Sequence, residues 1–297
     1  MEQPVDGYDA LAGALAGAIQ VRLQDRLQAW MQDHGLSGFA PFGLQMALAA
    51  EPAPLDEARV LRRTPYQSAG AATAMLADLA AKGLLEPTEG GYRLSDRGRR
   101  ALDEMQSAVV DTLAGLPAFA DAERLAALLR RQVDACLQGG LDAFALTGSR
   151  RFDPGEAAPV WARIRRYLGD LSSFRDDAHV AAWKPYDVTG GQWEAFSHVW
   201  GRKVWGDPVR TAEEAAEKLG FRGHDAAAMK AGLDALAARG WLETEGDAYR
   251  MSNRGLQIRE AAEEATDRLY FGPWDLSPAE AAELGDLLKA AKAALDA

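Results

Sequence analysis

A repeated segment constrains the fold of this chain more than any other feature of its sequence. Residues 71–98 align without a gap with residues 228–255, at a constant offset of 157 positions (71 to 228). A unit that occurs twice must form the same supersecondary structure twice, so the repeat limits the architecture before any functional argument. Apart from alanines, the copies share Leu76/Leu233, Leu79/Leu236, Gly83/Gly240, Leu85/Leu242, Glu86/Glu243, Tyr92/Tyr249, Arg93/Arg250, Ser95/Ser252, Arg97/Arg254 and Gly98/Gly255.

Each copy of the repeat predicts a helix, a β-hairpin and a second helix. Leu76 and Leu79 are spaced for one face of a helix, and Gly83 lies where a helix can end in a left-handed residue. Glycines at 90–91 predict a tight turn between two short strands, and Ser95 can cap the helix that follows. The second copy repeats this order. Helix, hairpin and helix form the second half of a winged helix-turn-helix.

The segments upstream of the repeats predict the missing halves, as short helices over 55–62 and 211–219. The fold expected is mainly α with small β-hairpins (α+β). It holds tandem winged helix-turn-helix domains, related by pseudo-two-fold symmetry and joined by long helices, in a monomer with pseudo-dimeric organisation. The predicted division is 1–140 for an N-terminal helix, the first winged helix and a return helix, 141–159 for a linker rich in glycine and proline, and 160–297 for a bridging helix, the second winged helix and a closing helix.

Parts of the sequence resemble two families. The run Gly83-Leu-Leu-Glu with Tyr92-Arg-Leu-Ser-Asp-Arg-Gly98-Arg resembles the wing and following helix of MarR-type regulators, and residues 122–136 and 270–288 resemble their C-terminal dimerisation helix. The second half also resembles the SalK-like helix-turn-helix family of actinomycetes. That likeness rests on Arg175-Asp-Asp-Ala-His179-Val-Ala-Ala, Ala237-Ala-Arg-Gly-Trp, Glu264-Ala-Thr-Asp267-Arg268 and Pro273-Trp274.

The MarR resemblance implies DNA binding through the second helix of each helix-turn-helix, together with basic wings. The wings here are acidic, since Glu86 and Glu89 accompany Arg93 in the first copy, and the whole chain carries a net charge of −11. An acidic protein can still bind DNA through a local basic patch. The alternative is that the winged helices serve as a scaffold. The expected DNA contacts are Arg62, Arg63, Gln67, Ser68 and Thr73 in the first copy and Arg222, His224 and Lys230 in the second.

Tryptophans concentrate in the second half of the chain, which holds Trp161, Trp183, Trp193, Trp200, Trp205, Trp241 and Trp274. Two interpretations stay open: a bulky apolar core, or an aromatic-walled pocket at the junction of the halves, where MarR-type dimers bind phenolic ligands. Pockets of that kind combine apolar walls with a few polar groups. The expected ligand-binding residues are Trp161, Arg175, His179, Trp193, Trp200, Asp267, Arg268 and Trp274.

Two of these polar residues, Arg175 and His179, are four positions apart and share one face of a helix. A carboxylate close to His179 is expected to raise its pKa and make the ring a switchable donor. The other interpretation is structural: an ion pair between Arg175 and Asp267 would join the bridging helix to the last helix of the second winged helix.

The sequence contains no phosphate-binding loop, dinucleotide fingerprint, HExxH or GxSxG motif. Its four histidines are widely separated and Cys136 is its only cysteine, so neither a cofactor nor an internal disulfide is expected. The apolar run at 11–19 is too short to span a bilayer, which predicts a cytoplasmic protein without a membrane partner.

Two functions therefore remain. One is a single-chain, ligand-responsive DNA-binding regulator. The other is a winged-helix scaffold that binds a small aromatic or apolar molecule, or acts on it with His179 as acid or base. Certain DNA glycosylases also carry tandem winged helices, but this sequence lacks their paired-glutamine signature.

Overall fold

The computed structural model describes residues 4–201 and 207–296, so Trp205 lies outside the described residues. Within these ranges the chain is mostly helical, with two antiparallel hairpins. The first half contains α1 (Tyr8–Asp33), α2 (Ala40–Ala50), α3 (Glu57–Arg63), α4 (Ala69–Ala81), β1 (Leu85–Thr88), β2 (Gly91–Leu94), α5 (Asp96–Ala114) and α6 (Ala122–Gln138). The second contains α7 (Phe144–Ser149), α8 (Val160–Trp183), α9 (Gly190–Trp200), α10 (Ala212–Leu219), α11 (Ala226–Ala238), β3 (Leu242–Glu245), β4 (Ala248–Met251), α12 (Asn253–Phe271) and α13 (Pro278–Asp296).

Four consecutive elements recur with the same lengths and the same spacing. Helix α4, strands β1 and β2 and helix α5 correspond to α11, β3, β4 and α12, each 157 positions later (69 to 226, 85 to 242, 91 to 248, 96 to 253). The hairpins also share their register, since Leu85 pairs with Leu94 as Leu242 pairs with Met251. The helix, hairpin and helix predicted for each copy are therefore confirmed.

The matched serines and glycines explain why the chain turns at the same points in both copies. Ser95 and Ser252 each accept the backbone N–H three residues further on at 2.9 Å, which caps α5 and α12. Each hydroxyl also donates to a glycine carbonyl, of Gly83 or Gly240, at 2.7 Å. These glycines have φ of 68° and 72°, a conformation that glycine adopts without steric cost.

A second matched pair of glycines sets how closely the hairpin and the following helix approach each other. A Cβ atom at Gly98 or Gly255 would lie 2.1 Å from the carbonyl oxygen of Leu84 or Trp241, respectively. No larger residue fits at either position without moving the backbone. The first turn of α5 and of α12 can therefore lie directly against the residue that precedes the first strand of its hairpin.

The apolar core has three parts. Each helix–hairpin unit encloses its own cluster, and a third cluster lies between the long helices α1, α5, α6, α8, α12 and α13. In this central cluster Leu15 of α1 and Leu129 of α6 are buried together with Phe174 of α8 and Leu284 of α13. Helix α1 packs along α13, and α8 packs along α6. Both halves of the chain therefore contribute to one core.

The segment predicted as a linker contains structure of its own. Helix α7 lies within residues 141–159 and packs against α8. The carboxylate of Asp177 on α8 accepts the N–H groups of Ala145 and Leu146 at 2.8 and 3.0 Å, which fixes the start of α7. Burial raises the pKa of Asp177 to about 6 despite these two bonds. The division of the chain at 141–159 stays a prediction.

Candidate functional site

A cavity of about 770 Å³ lies between α1, α8, α9 and α12, beside the turns that precede α4 and α11; we call it the α8–α12 cavity. Its volume is within the range of small-molecule sites. Four of the eight predicted ligand residues, Arg175, His179, Trp193 and Trp200, line it. The other principal lining residues are Tyr8, Asp9, Tyr66, Asp176, Glu194, Arg222, Arg259, Glu263 and Tyr270.

The remaining predicted ligand residues lie elsewhere. Trp161 is buried in the central core, where its indole N–H donates to the carbonyl of Pro117 at 2.9 Å. Trp274 packs edge-on against Tyr8, with ring centroids 4.8 Å apart. Arg268 is exposed and lies 3.9 Å from Glu264. Trp161 and Trp274 thus pack in or against the central core, whereas Trp193 is buried in the core of the second helix–hairpin unit and also lines the cavity with Trp200.

Both ring nitrogens of His179 have partners within the protein. The indole N–H of Trp193 donates to Nε2 at 3.2 Å, so this nitrogen carries no proton. Nδ1 is 3.1 Å from the hydroxyl oxygen of Thr266, whose own proton goes to the carbonyl of Ala262 at 2.8 Å. The network therefore assigns the proton to Nδ1, which donates to Thr266. Both ring nitrogens are therefore occupied by protein partners, and neither faces the cavity as a free acid or base.

The expected rise in the pKa of His179 is wrong. Its pKa is lowered from 6.5 to about 4, chiefly because burial disfavours the charged ring and secondly because Arg259 adds a positive charge nearby. The carboxylate of Glu263 opposes this change, but it is 4.0 Å from Nδ1 and is already paired with Arg259. His179 is therefore neutral near pH 7.

Arg259 is one of the polar residues of this cavity that the sequence interpretation missed. It is only 2% exposed, pairs with Glu263 and lies over the rings of Trp193 and Trp200 at 5.1 and 4.7 Å. Its Nε has no hydrogen-bond acceptor among the described residues. The signal was present, since Arg259 follows Gly255 by four positions on the buried face of α12.

Arg175 is surrounded by carboxylates without a close bond to any of them. Its Nε is 3.4 Å from Asp9, and a terminal nitrogen is 3.8 Å from Glu263 and 3.9 Å from Asp267. Its Nε also lacks a hydrogen bond within the described chain. The predicted ion pair with Asp267 exists, but its length is beyond that of a hydrogen bond. The guanidinium can therefore turn toward a bound acceptor at small cost.

The residues expected to contact DNA lie partly where the turn before α4 contacts the turn before α11. The backbone N–H of Ser68 donates to the carbonyl of Arg222 at 2.9 Å, and Nε2 of His224 is 2.9 Å from the carbonyl of Tyr66. The side chain of Arg222 also reaches the hydroxyl of Thr64 at 3.3 Å. We call this set of contacts the turn–turn contact. It occupies the start of α4 and the segment that leads into α11.

An ion pair anchors the turn–turn contact to α9. Two nitrogens of Arg222 donate to Glu194, at 3.1 and 2.9 Å. Arg222 also contacts the rings of Phe39, Tyr66 and Phe221, with its guanidinium carbon 4.8 to 5.5 Å from their centroids. Because Arg222 and Tyr66 also line the α8–α12 cavity, the cavity and the turn–turn contact share a wall.

Arg62 and Arg63 are engaged in ion pairs that hold α3 to other parts of the chain. Arg62 makes two bonds to Asp142, at 2.7 and 2.9 Å, and Arg63 contacts Asp176 at 3.1 Å. The side chain of Gln67 is buried. Of Arg62, Arg63 and Gln67, only Arg62 is exposed.

The outer faces of α4 and α11 offer little for DNA. Thr73 is exposed and donates to Glu57 at 2.6 Å, while the exposed positions around it are mainly alanines. Lys230 is exposed on α11 and pairs with Asp234 at 2.8 Å. Reading a base sequence requires hydrogen-bonding or apolar contacts to base edges, with cations at the phosphates. Few such groups are presented here.

Comparison with known proteins gives one result. Residues 161–297 match the model of a helix-turn-helix family, so this part of the chain contains a helix-turn-helix domain. No match is found among curated proteins or among solved structures. The domain makes DNA a candidate partner.

None of the helices described here is both long enough and apolar enough to cross a membrane. Residues 4–201 and 207–296 include no group of three or more histidine, cysteine, aspartate or glutamate side chains placed to hold a metal ion.

Proposed function

We propose that the protein binds a small molecule with an aromatic body and a hydrogen-bond acceptor in the α8–α12 cavity. The observation that supports this proposal is the pairing of indole rings with incompletely bonded guanidinium groups. Trp193 and Trp200 form an aromatic wall, and the Nε groups of Arg175 and Arg259 lack acceptors beside it. A buried donor without a partner is costly, so a ligand acceptor at this point would be favourable.

The same proposal gives the helix-turn-helix units a scaffolding role. Two recognition helices that read successive major grooves must be about 34 Å apart, with their N-terminal residues at the bases. Here the N–H of Ser68, at the start of α4, is 2.9 Å from the carbonyl of Arg222, four residues before α11 begins. Two such ends cannot enter separate grooves while this contact persists.

Tryptophan fluorescence tests the ligand proposal. A panel of phenols and aryl carboxylates should contain molecules that change the emission, because two indoles line the cavity. For such a molecule Arg175→Met should weaken binding about tenfold or more, the effect of losing one charge-assisted hydrogen bond. Arg268→Met is the matched control, since Arg268 does not line the cavity and should leave binding unchanged. A panel without any response contradicts the proposal.

We infer that the two halves are related by internal duplication and pseudo-two-fold symmetry, in the manner of a MarR-like dimer. The four matched elements at one offset support this inference. So does the reciprocal packing of α1 on α13 and of α8 on α6, because a two-fold axis between the halves exchanges these pairs.

A ligand-responsive DNA-binding regulator is the second candidate. The helix-turn-helix match supports it. A second support is that Arg222 and Tyr66 take part in the turn–turn contact and also line the α8–α12 cavity. A ligand that displaced Arg222 would release the two turns. Mobility-shift assays at low salt, with and without ligand and with Arg222→Met, test this candidate. Binding that weakens steeply with salt supports it, and absence of binding in all three samples rules it out.

A further inference from the structure

A second cavity, which we call the α1–α5 cavity, lies further along α1 and α8 and shares Ala16, Leu168 and Ser172 with the α8–α12 cavity. Its volume is about 1140 Å³, and it is bounded by α1, α2, α5, α8 and residues 152–159. The lining is mixed, and its apolar part comes from Leu27 and Trp30 of α1, Met105 and Val109 of α5, and Leu168 of α8. It adjoins the α8–α12 cavity but contains a different set of charged groups.

Arg165 lines this cavity and has no acidic side chain as an ion-pair partner among the described residues. The side chain of Arg165 makes no hydrogen bond, ion pair or ring contact with the described residues, and Arg166 is the only charge among them that acts on it appreciably. Arg166 itself pairs with Asp170, at 3.0 Å. Burial and the field of Arg166 lower the pKa of Arg165 to about 10, so that it remains protonated near pH 7.

The carboxylates that line the cavity do not neutralise Arg165. Asp153 pairs with Arg150 and accepts the N–H of Gly155 at 3.0 Å. Asp103 is exposed, and no ion pair joins it to Arg165 in the described chain. The guanidinium of Arg165 is only partly buried and has no anion within 4.0 Å, so an anion in the cavity can pair with it without displacing an existing ion pair.

We propose that the α1–α5 cavity binds an amphipathic monocarboxylate, with its carboxylate on Arg165 and its apolar chain or ring against Leu27, Trp30 and Val109. One uncompensated guanidinium matches one negative charge, and its planar fork suits the two oxygens of a carboxylate. The amide of Gln20 and the hydroxyl of Ser172, which also line the cavity, can donate to the same oxygens.

The cation of this site differs from those of the proposed function, because neither Arg175 nor Arg259 lines the α1–α5 cavity. The two proposals can therefore fail separately. Loss of the aromatic ligand in Arg175→Met says nothing about Arg165, and a carboxylate bound through Arg165 should be unaffected by Arg175→Met.

Isothermal titration of the full chain with decanoate and with decanol tests the inference. Decanoate should bind with one molecule per chain, and decanol about tenfold more weakly or worse, because only the carboxylate can pair with Arg165. Arg165→Gln should reduce decanoate binding to the level of decanol, and Arg165→Lys should keep part of the preference. Arg151→Gln is the matched control, because Arg151 is exposed and lies outside the cavity.

Two outcomes overturn the inference directly. They are equal binding of decanoate and decanol, including no binding of either, and an undiminished preference for decanoate in Arg165→Gln. Thermal unfolding provides a further check on structural integrity. Removing an uncompensated charge should leave the melting temperature of Arg165→Gln unchanged or higher. A clear fall would mean that Arg165 has a structural partner, which also contradicts the inference.

Discussion

His179 occupies an environment that favours its neutral form. Nε2 accepts from Trp193, Nδ1 donates to Thr266, and Arg259 is the positive charge that lowers the pKa of the ring most. A proton added to Nε2 would face the indole N–H that now donates to it, and a second positive charge would adjoin Arg259. The unfolded chain has no such constraint, so its histidine takes up a proton near pH 6.5.

The first prediction concerns the pH dependence of stability. Because the pKa of His179 falls from 6.5 to about 4 on folding, its contribution is complete above pH 6.5 and is lost as the pH falls toward 4. The full loss of unfolding free energy is about 3 kcal/mol, because each unit of pKa shift corresponds to about 1.4 kcal/mol. His179→Gln, which can retain a donor and an acceptor, should lose less free energy of unfolding over this range. Urea unfolding at a series of pH values measures the difference.

Other titrating groups are common to both proteins in that comparison. His198 has a pKa lowered to about 4, mainly by burial, and adds a loss of the same sign. Asp177 has a raised pKa and acts in the opposite direction. Their effects cancel between wild type and His179→Gln. Parallel pH profiles for the two proteins would show that the neutral state of His179 is not linked to folding.

Residues with local partners were predictable, and residues with distant partners were not. Ser95 bonds to Gly98 and Gly83, so its capping role follows from the nearby sequence. Arg222 bonds to Thr64 across 158 positions, and nothing local indicates that the turn is occupied. The sequence therefore identified Arg222 as a cation at a helix start and as an expected DNA contact, without indicating its bond to Thr64.

At the scale of elements, the turn–turn contact depends on the pair formed by Arg222 and Glu194. Glu194 is almost fully buried, and its pKa is raised by burial even with the guanidinium present. Removing one partner of a pair in such a setting leaves the other without compensation. Replacing both partners with apolar residues avoids that cost.

The second prediction is a double-mutant cycle on this pair. Arg222→Met should lower the free energy of unfolding at neutral pH by roughly 3 kcal/mol, because Glu194 is left buried and unpaired. Arg222→Met combined with Glu194→Met should recover most of that loss. Guanidinium unfolding of the four proteins measures the coupling. Additive effects of the two substitutions would contradict the assigned role of the pair.

Elements inside the repeat were predicted more accurately than those outside it. The strands at 85–88 and 242–245 follow from glycine, serine and apolar spacing within a few residues, and the structure has both. The helix expected over 55–62 begins at Glu57, because Asp56 accepts the N–H of Arg59 at 2.7 Å and caps it. Helix α7 was read as linker because its cap, Asp177, comes from another helix.

At the scale of the whole molecule, the central core determines what a half-chain can do. Helix α1 buries Leu15 and Ile19 in the cluster that includes α13, and α6 buries Leu129 in the same cluster beside α8. Each buried leucine or isoleucine contributes roughly 1.5–3 kcal/mol relative to exposure. Separating the halves would expose several such residues on each side.

The third prediction follows from this shared core. A protease site placed between Gly139 and Gly140, where α6 ends, should allow cleavage without separation of the pieces, because α1 still packs on α13 and α6 on α8. Light scattering coupled to size exclusion should give the mass of the intact chain, 32.0 kDa, plus the inserted residues. Residues 1–140 alone should unfold, aggregate or pair with a second copy, which would cover the apolar face of α1. Mixing them with separately produced 141–297 should restore a complex of one copy each. A stable, monomeric 1–140 fragment with the helix content of its half of the structure would contradict this prediction. It would show that the halves fold as independent domains and that the central core is an interface between two folded domains.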